Sequence, residues 1–165
     1  LEDGFPRLAR IAHLTVGQVV DLGVKDANNM GAAMAPAAAD TLTRHLQDLH
    51  RTAADYDLIV TGDLGRVGHD ILLALMEERG LPLLPQRYLD CGMAVFAPEQ
   101  DVQAGGSGCG CSAIVLCSHI LRRIREGELH RVLFMATGAL VSPMASQQGA
   151  AIPGIAHAVV LEGVD

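Results

Sequence analysis

The strongest constraint on this chain is a glycine-rich turn that opens a helix with no polar face. The turn runs Gly105-Gly106-Ser107-Gly108-Cys109-Gly110-Cys111-Ser112, and the helix spacing continues from Ala113 to Arg125. Its first turns, Ala113, Ile114, Val115, Leu116 and Cys117, are small or apolar on every side. A helix apolar all round is a buried helix, so the sequence asks for protein on more than one side of it. Arg122, Arg123 and Arg125 bring the last turns out into solvent, where basic residues also suit a helix C-terminus. Composition agrees, because 23 alanines and 18 glycines make up about a quarter of the 165 residues, while aromatic residues are 3% and tryptophan is absent. A core of that kind packs backbone against backbone, as layered assemblies do.

Length and charge narrow the field. The length suits one domain with a sizeable core, and a 50% apolar content excludes a disordered chain. The net charge of −7 comes without a basic run, which argues against nucleic acid as a partner, since phosphate neutralisation needs clustered Lys and Arg. Lys25 is the single lysine, leaving little material for a Schiff base or a phosphate-loop lysine. No apolar stretch approaches the roughly 20 residues of a membrane span, and Leu1 to Arg10 has acids, arginines and a proline where a signal peptide would be apolar. The chain begins with Leu1 rather than Met, as a fragment or a processed product would. Cys91, Cys109, Cys111 and Cys117 are read as reduced thiols of an intracellular protein rather than as a secreted disulfide framework.

Strand and helix signals alternate. A strand is expected within Ala12 to Val20, followed by a polar loop from Gly23 to Met34. Pro36 suits a first helical turn, and Ala39, Leu42, Leu46 and Leu49 follow at helical spacing. Tyr56 to Thr61 reads as a buried parallel strand, His69 to Arg79 as a helix closed by Gly80, and Met93 to Phe96 as a short strand. Val132 to Ala136 and Ile155 to Leu161 are two more strands, antiparallel or joined by the loop from Gly138 to Pro153. The order is strand, helix, strand, helix, strand, buried helix, strand, strand, which is an α/β fold.

Several groups are candidates for chemistry, each with a plainer alternative. Successive N–H groups of the glycine turn at a helix N-terminus can receive a carboxylate or phosphate; equally, glycine there lets the buried helix approach neighbouring backbone. No Lys-Ser/Thr follows, so it is not a Walker loop, and Gly106-x-Gly108 is only half of a dinucleotide fingerprint. Cys109-x-Cys111 lacks the second ligand pair that zinc needs and is not a C-x-x-C redox pair. Small buried residues are the favoured reading, with a helix N-terminal nucleophile as the rival. His69 lies near a strand end where α/β ligands bind, or faces water. His157 is read as a hydrogen-bonded core or edge residue. Asp63 follows Val60-Thr61-Gly62 at a strand's carboxyl end, either in a ligand site or as a helix cap.

Taken together, the motifs resemble the stage V sporulation protein AD family. They are Asp21-Leu22-Gly23, Met34-Ala35-Pro36-Ala37-Ala38-Ala39-Asp40-Thr41, Tyr56 to Leu64, Asp90-Cys91-Gly92, Ala104 to Cys109, Ala136-Thr137-Gly138-Ala139-Leu140-x-Ser142-Pro143 and Ile155-Ala156-His157. The resemblance runs from about Ile11 to Glu162 and covers only the C-terminal half of that family's length. It implies a thiolase-like fold of two similar β-α-β-α-β-α-β-β halves, each with a mixed sheet and a central helix buried between the sheets. Residues 1–165 are then one half-domain, with its N-terminal partner half outside this chain.

The family resemblance further implies a non-catalytic role. Such a protein binds dipicolinic acid, alone or as its calcium chelate, for uptake into the developing spore and release at germination. It acts as a homo-oligomeric soluble protein, peripheral to the spore inner membrane, beside other subunits of a membrane channel assembly, with no cofactor or resident metal. Thiolase-like condensing enzymes place a histidine after the second strand of this half and an asparagine or histidine in the later glycine-rich loop. Here those stretches read Thr61-Gly62-Asp63-Leu64 and Gly105-Gly106-Ser107-Gly108, without the general base and oxyanion donors of condensation. No catalytic residue is therefore assigned. Gly106, Ser107 and Gly108 are expected to line the ligand pocket, with Asp63 and Leu64 nearby. An acyltransferase with its catalytic groups elsewhere and a purely structural interaction domain are the rival readings.

Overall fold

A computed structural model describes residues 9–164 as one mixed sheet with helices on both faces. The strand order is β1 (Arg10–Thr15), β5 (Gly154–Glu162), β4 (Arg131–Ala139), β2 (Leu58–Thr61) and β3 (Tyr88–Asp90). β2 runs parallel to both β3 and β4. The last two strands are antiparallel as expected, from Arg131 opposite Glu162 to Ala139 opposite Gly154, and β1 closes the edge antiparallel to β5. All four residues of β2 are buried, as a β-branched central strand covered on both faces must be.

Helices α1 (Met30–Asp48) and α2 (Gly65–Glu78) cover one face. Ile59, Leu133, Met135, Ala156 and Val160 point up into them, while Leu58, Val60, Val132, Phe134 and Leu161 point to the other face, the two-residue alternation of a strand. Glycine sets the helix spacing. A Cβ on Gly31 would stand 2.1 Å from the Leu64 carbonyl oxygen, and one on Gly68 2.7 Å from the Gly31 oxygen, so the two helices meet backbone to backbone. The small-residue composition is used here as the sequence suggested.

Four local expectations change. β1 lies at Arg10–Thr15 instead of continuing to Val20, because Val16 to Val19 peel away and only Val20 returns to bridge Gly154. α1 begins at Met30, so Pro36 sits inside it rather than in its first turn. The proline forfeits one N–H bond, but its buried ring and the alanines around it hold the turn in the core. α2 starts at Gly65, four residues before His69. The third strand is Tyr88–Asp90, and the Met93–Phe96 stretch instead begins inside a short helix, α3 (Cys91–Ala94). A carboxylate decides that last point, because Asp90 caps α3 by accepting from the Met93 N–H at 3.2 Å.

The second face is covered by a continuous helical stretch: α4 (Cys109–Val115), a π turn (Leu116–Ile120) and α5 (Leu121–Arg125). Val115, Ile120 and Ile124 are buried against the sheet, yet Ile114 is 58% exposed, and Ala113, Cys117 and Ser118 are exposed too. The helix therefore has sheet on one side and an open apolar side on the other. The sheet beside it is open as well. Ile11, opposite Leu161, is 70% exposed, and Leu14, opposite Val159, is 63% exposed. A last short helix, α6 (Pro143–Gln147), lies in the β4–β5 connection.

Two buried polar centres hold this frame. Asp90, at the end of β3, accepts from Thr61 Oγ1 (2.7 Å), Leu64 N (2.9 Å), Gly65 N (3.0 Å) and Met93 N. Thr61 has one proton and gives it to Asp90, so the Tyr88 hydroxyl 3.0 Å away is the donor to Thr61. His45, fully buried on α1, meets Tyr56 Oη at 2.6 Å and Thr15 Oγ1 at 2.7 Å, tying α1 to β1 and to the entry of β2.

Both centres lead to measurable consequences. Asp90→Ala strands several buried donors and is expected to cost about 3 kcal/mol or more, read as a lowered urea midpoint; a loss under about 1 kcal/mol would contradict that role. Burial, with the charges of Arg51 and His13, lowers the His45 pKa from 6.5 to about 4. Between those values the unfolded chain binds more protons than the folded one, so stability that is full above about pH 6.5 is lost as pH falls toward 4, at up to about 1.4 kcal/mol per pH unit. A His45→Gln protein is expected to start less stable at neutral pH and to lose less on acidification in denaturant titrations. Equal losses in both proteins would overturn the assignment.

Candidate functional site

Strand β2 ends with Thr61 opposite Met135 of the parallel β4, β4 runs on to Ala139, and the loop after β2, the glycine turn and Thr137 of β4 meet at Asp63. Its carboxylate accepts from the Gly108 N–H at 2.9 Å and from Ser107 Oγ at 3.2 Å through Oδ2, and from Thr137 Oγ1 at 3.1 Å through Oδ1. Thr137 Oγ1 in turn accepts the Asp63 N–H at 3.1 Å. Gly108 is the residue before α4, so Asp63 places its negative charge at that helix's N-terminus, where the helix dipole favours it. The predicted helix cap is real, but it caps α4 across the fold. The start of α2 is served by Asp90 instead.

The glycine turn has the close-packing role foreseen for it. Gly105 and Gly108 take φ of 113° and 108°, which side chains rarely adopt. A Cβ on Gly105 would meet the Gly92 oxygen at 2.5 Å, and the Gly106 N–H donates to that same oxygen at 2.7 Å. Close backbone approach thus fixes the turn on the Asp90-Cys91-Gly92 segment. The remaining N–H function is anion capture by Gly108, and the anion is the protein's own Asp63.

Around this group lies a cavity of about 410 Å³. Asp63, Ser107, Gly108, Ser112 and Thr137 supply its polar wall, and Met30 and Met34 of α1 are among its apolar residues. Of the five residues expected at the site, Asp63, Ser107 and Gly108 are brought together. Gly106 and Leu64 are outside the cavity wall: Gly106 is used in backbone packing, and the Leu64 side chain is buried in the core under α1. Thr137, Ser112 and the two methionines are additions. Thr137 sits where the apolar run of β4 breaks into Ala136-Thr137-Gly138-Ala139, and that break was the available signal. The methionines come from α1, distant in sequence, and carry no local signature.

The other candidates fall outside the cavity. His69 stacks flat on Tyr88, with ring centres 4.7 Å apart, and its Nδ1 lies 2.9 Å from Asp70. His157 is exposed at the sheet edge and its Nδ1 accepts the Gly17 N–H at 3.1 Å. Cys91, Cys111 and Cys117 are free thiols, and the Cys109 side chain lies outside the described set. Burial, with Asp90 next in effect, pushes Cys91 up to about 12. Cys111 is raised by burial and then by Asp63, the opposite of what an activated nucleophile needs. Among the described residues, no three His, Cys, Asp or Glu side chains gather as a metal site would require, and no helix is long and apolar enough to cross a membrane.

Known proteins place the chain. The family model described as stage V sporulation protein AD matches residues 5–162. Stage V sporulation protein AD of Bacillus subtilis (strain 168) is 54% identical over 153 residues, covering 93% of this chain and 45% of that protein. The chain therefore spans under half the length of that relative. Among solved structures, AbyA1, a tetronic acid condensing enzyme, matches with a TM-score of 0.55 and 15% identity over 99% of this chain and 51% of its own. At that identity the likeness speaks for the fold alone, which is the thiolase-like one of condensing enzymes. On the family match and the 54% identity, the chain belongs to the stage V sporulation protein AD family.

Proposed function

We propose that this chain is the C-terminal half of a two-part protein that holds dipicolinic acid non-catalytically, for its uptake into the developing spore and release at germination. The observation that supports this most is the cavity at Asp63: of a size for a small planar ligand, polar on one wall and lined by two methionines. Among the described residues its wall contains no imidazole, asparagine or cysteine side chain, which favours binding over acyl transfer. The other half of the relative's length is proposed to lie on the open apolar side of α4 and on Ile11 and Leu14. Assembly into a homo-oligomer beside channel subunits, at the periphery of the spore inner membrane, belongs to the same reading.

Asp63 shapes the chemistry. A dianion placed next to a carboxylate that already holds the Gly108 N–H would be repelled. The calcium chelate of dipicolinate is neutral as a pair, and calcium accepts further oxygen ligands in flexible geometry. Asp63 can then ligate the incoming calcium, while the hydroxyl of Ser112 donates to the ligand's outer carboxylate oxygens. Calcium here is cargo with the ligand.

Calorimetry of the full-length protein tests this. Dipicolinate is expected to bind more tightly with calcium than without, and Asp63→Asn to reduce that calcium advantage by roughly tenfold or more, the weight of one charge-assisted contact. Ser107→Asp adds a second carboxylate and is expected to abolish binding. Dipicolinate affinity untouched by Ser107→Asp would sink the pocket. The fold likeness to a condensing enzyme gives the acyltransferase reading its one support, and a covalent acyl adduct from a coenzyme A thioester in an intact-mass spectrum would favour it.

A further inference from the structure

At the opposite end of the sheet from Asp63, an open groove of about 470 Å³ is lined by Arg10, His13, Arg51, Arg131 and Glu162, with Ile11 and Ala12 between them. Arg10 and His13 come from β1, Arg51 from the turn after α1, and Arg131 and Glu162 from the paired ends of β4 and β5. Three guanidiniums face one carboxylate. Glu162 is shared, accepting from Arg10 at 2.8 Å and from Arg131 at 2.9 Å. Arg51 has no ion-pair partner among the described residues. Its contacts are with Tyr56 Oη and His13 Nε2, each at 3.4 Å, and with the Tyr56 ring, 5.8 Å from its guanidinium carbon. Asp55 lies nearby, but its carboxylate is turned to the Thr52 N–H and hydroxyl, at 2.7 and 2.9 Å.

In a chain of net charge −7, three guanidiniums against Glu162 and the neighbouring Asp55, whose charge acts on Arg51 and Arg131, leave a local excess of about one positive charge in a concave setting. Like charges held together raise the free energy of the folded state unless an anion answers them. Burial chiefly depresses the pKa of His45, and the charges of Arg51 and His13 add to it while Asp48 opposes them. The groups are also positioned, not merely clustered. Glu162 fixes two of the guanidinium planes, and Tyr56 and His13 fix the third. Planar forks aimed into one groove match the oxygens of a phosphate group, which arginine pairs with in bidentate fashion.

We propose that this groove is a second, separate binding site for a phosphate group, with Arg51 as the principal ligand-facing cation and Arg10, Arg131 and His13 completing it. Arg10, His13, Arg131 and Glu162 stand on the face of the sheet that carries α1, while Ile11 at the rim of the groove belongs to the open apolar side. The site does not depend on the dipicolinate reading. Its phosphate is either a soluble one or the headgroup of an anionic lipid, and both present the same oxygens.

Two probes separate the sources: inorganic phosphate followed by calorimetry at low ionic strength, and sedimentation with phosphatidylglycerol vesicles against phosphatidylcholine vesicles. Binding of phosphate alone identifies a soluble ligand, and phosphatidylglycerol binding that added phosphate displaces identifies a headgroup. In either case Arg51→Gln is expected to weaken binding roughly ten- to a hundredfold, the range of a lost charge-assisted pair, with Arg51→Lys weakened less. Because Arg51 also touches Tyr56, Arg10→Gln serves as a second variant, on a side chain 67% exposed, with an expected loss of several-fold. Unchanged affinity in both variants, or binding of neither probe by the wild-type protein, overturns the proposal.

Discussion

One buried carboxylate organises the working end of this molecule. Asp90 gathers a strand hydroxyl, the first N–H groups of α2 and an N–H of α3 around two oxygens. Each of those donors would otherwise be an orphan at a helix end or a strand end. By fixing Leu64 and Gly65 it sets where the chain turns after β2, and so where Asp63 points. By starting α3 it brings Gly92 under the glycine turn, whose Gly106 N–H bonds to it. Asp63 then reaches Gly108 and the head of α4. The Asp63 site thus stands on a chain of hydrogen bonds rather than on hydrophobic packing alone.

Much of this was legible in the sequence. The alternation of period-two and period-3.6 apolar spacing gives the α/β order, and the apolar run at Leu58-Ile59-Val60 gives a central parallel strand. Errors arise where a nonlocal polar group overrides local propensity. Met93 to Phe96 looks like a strand until Asp90 caps it into a helix. The start of α2 escapes detection because its capping group is 25 residues away, across the sheet. Pro36 misleads because proline at a helix start is the common case, whereas here alanine packing tolerates it in the interior. Asp63, Ser107 and Gly108 could be named from their places at strand and helix ends. Thr137 carries no local sign of its role, since its contact with Asp63 spans 74 residues.

The composition that first suggested layers now has a location. Gly31 and Gly68 let α1 and α2 touch through their backbones, and the glycine turn does the same against Gly92. The helix without a polar face is satisfied on one side only, with Ile114 turned outward beside Ile11 and Leu14. The Asp63 cavity lies at one end of the sheet and the arginine groove at the other. The two candidate sites differ in sign. A carboxylate dominates one and guanidiniums the other, so a bare dianion and its calcium chelate should choose between them differently.

The most direct test of the dipicolinate reading is therefore to map the ligand by amide chemical-shift changes in the full-length protein, with calcium present. The account predicts changes concentrated at Asp63, Ser107, Gly108, Ser112 and Thr137. Changes gathered instead at Arg10, His13, Arg51 and Arg131, or none at saturating ligand, would contradict it.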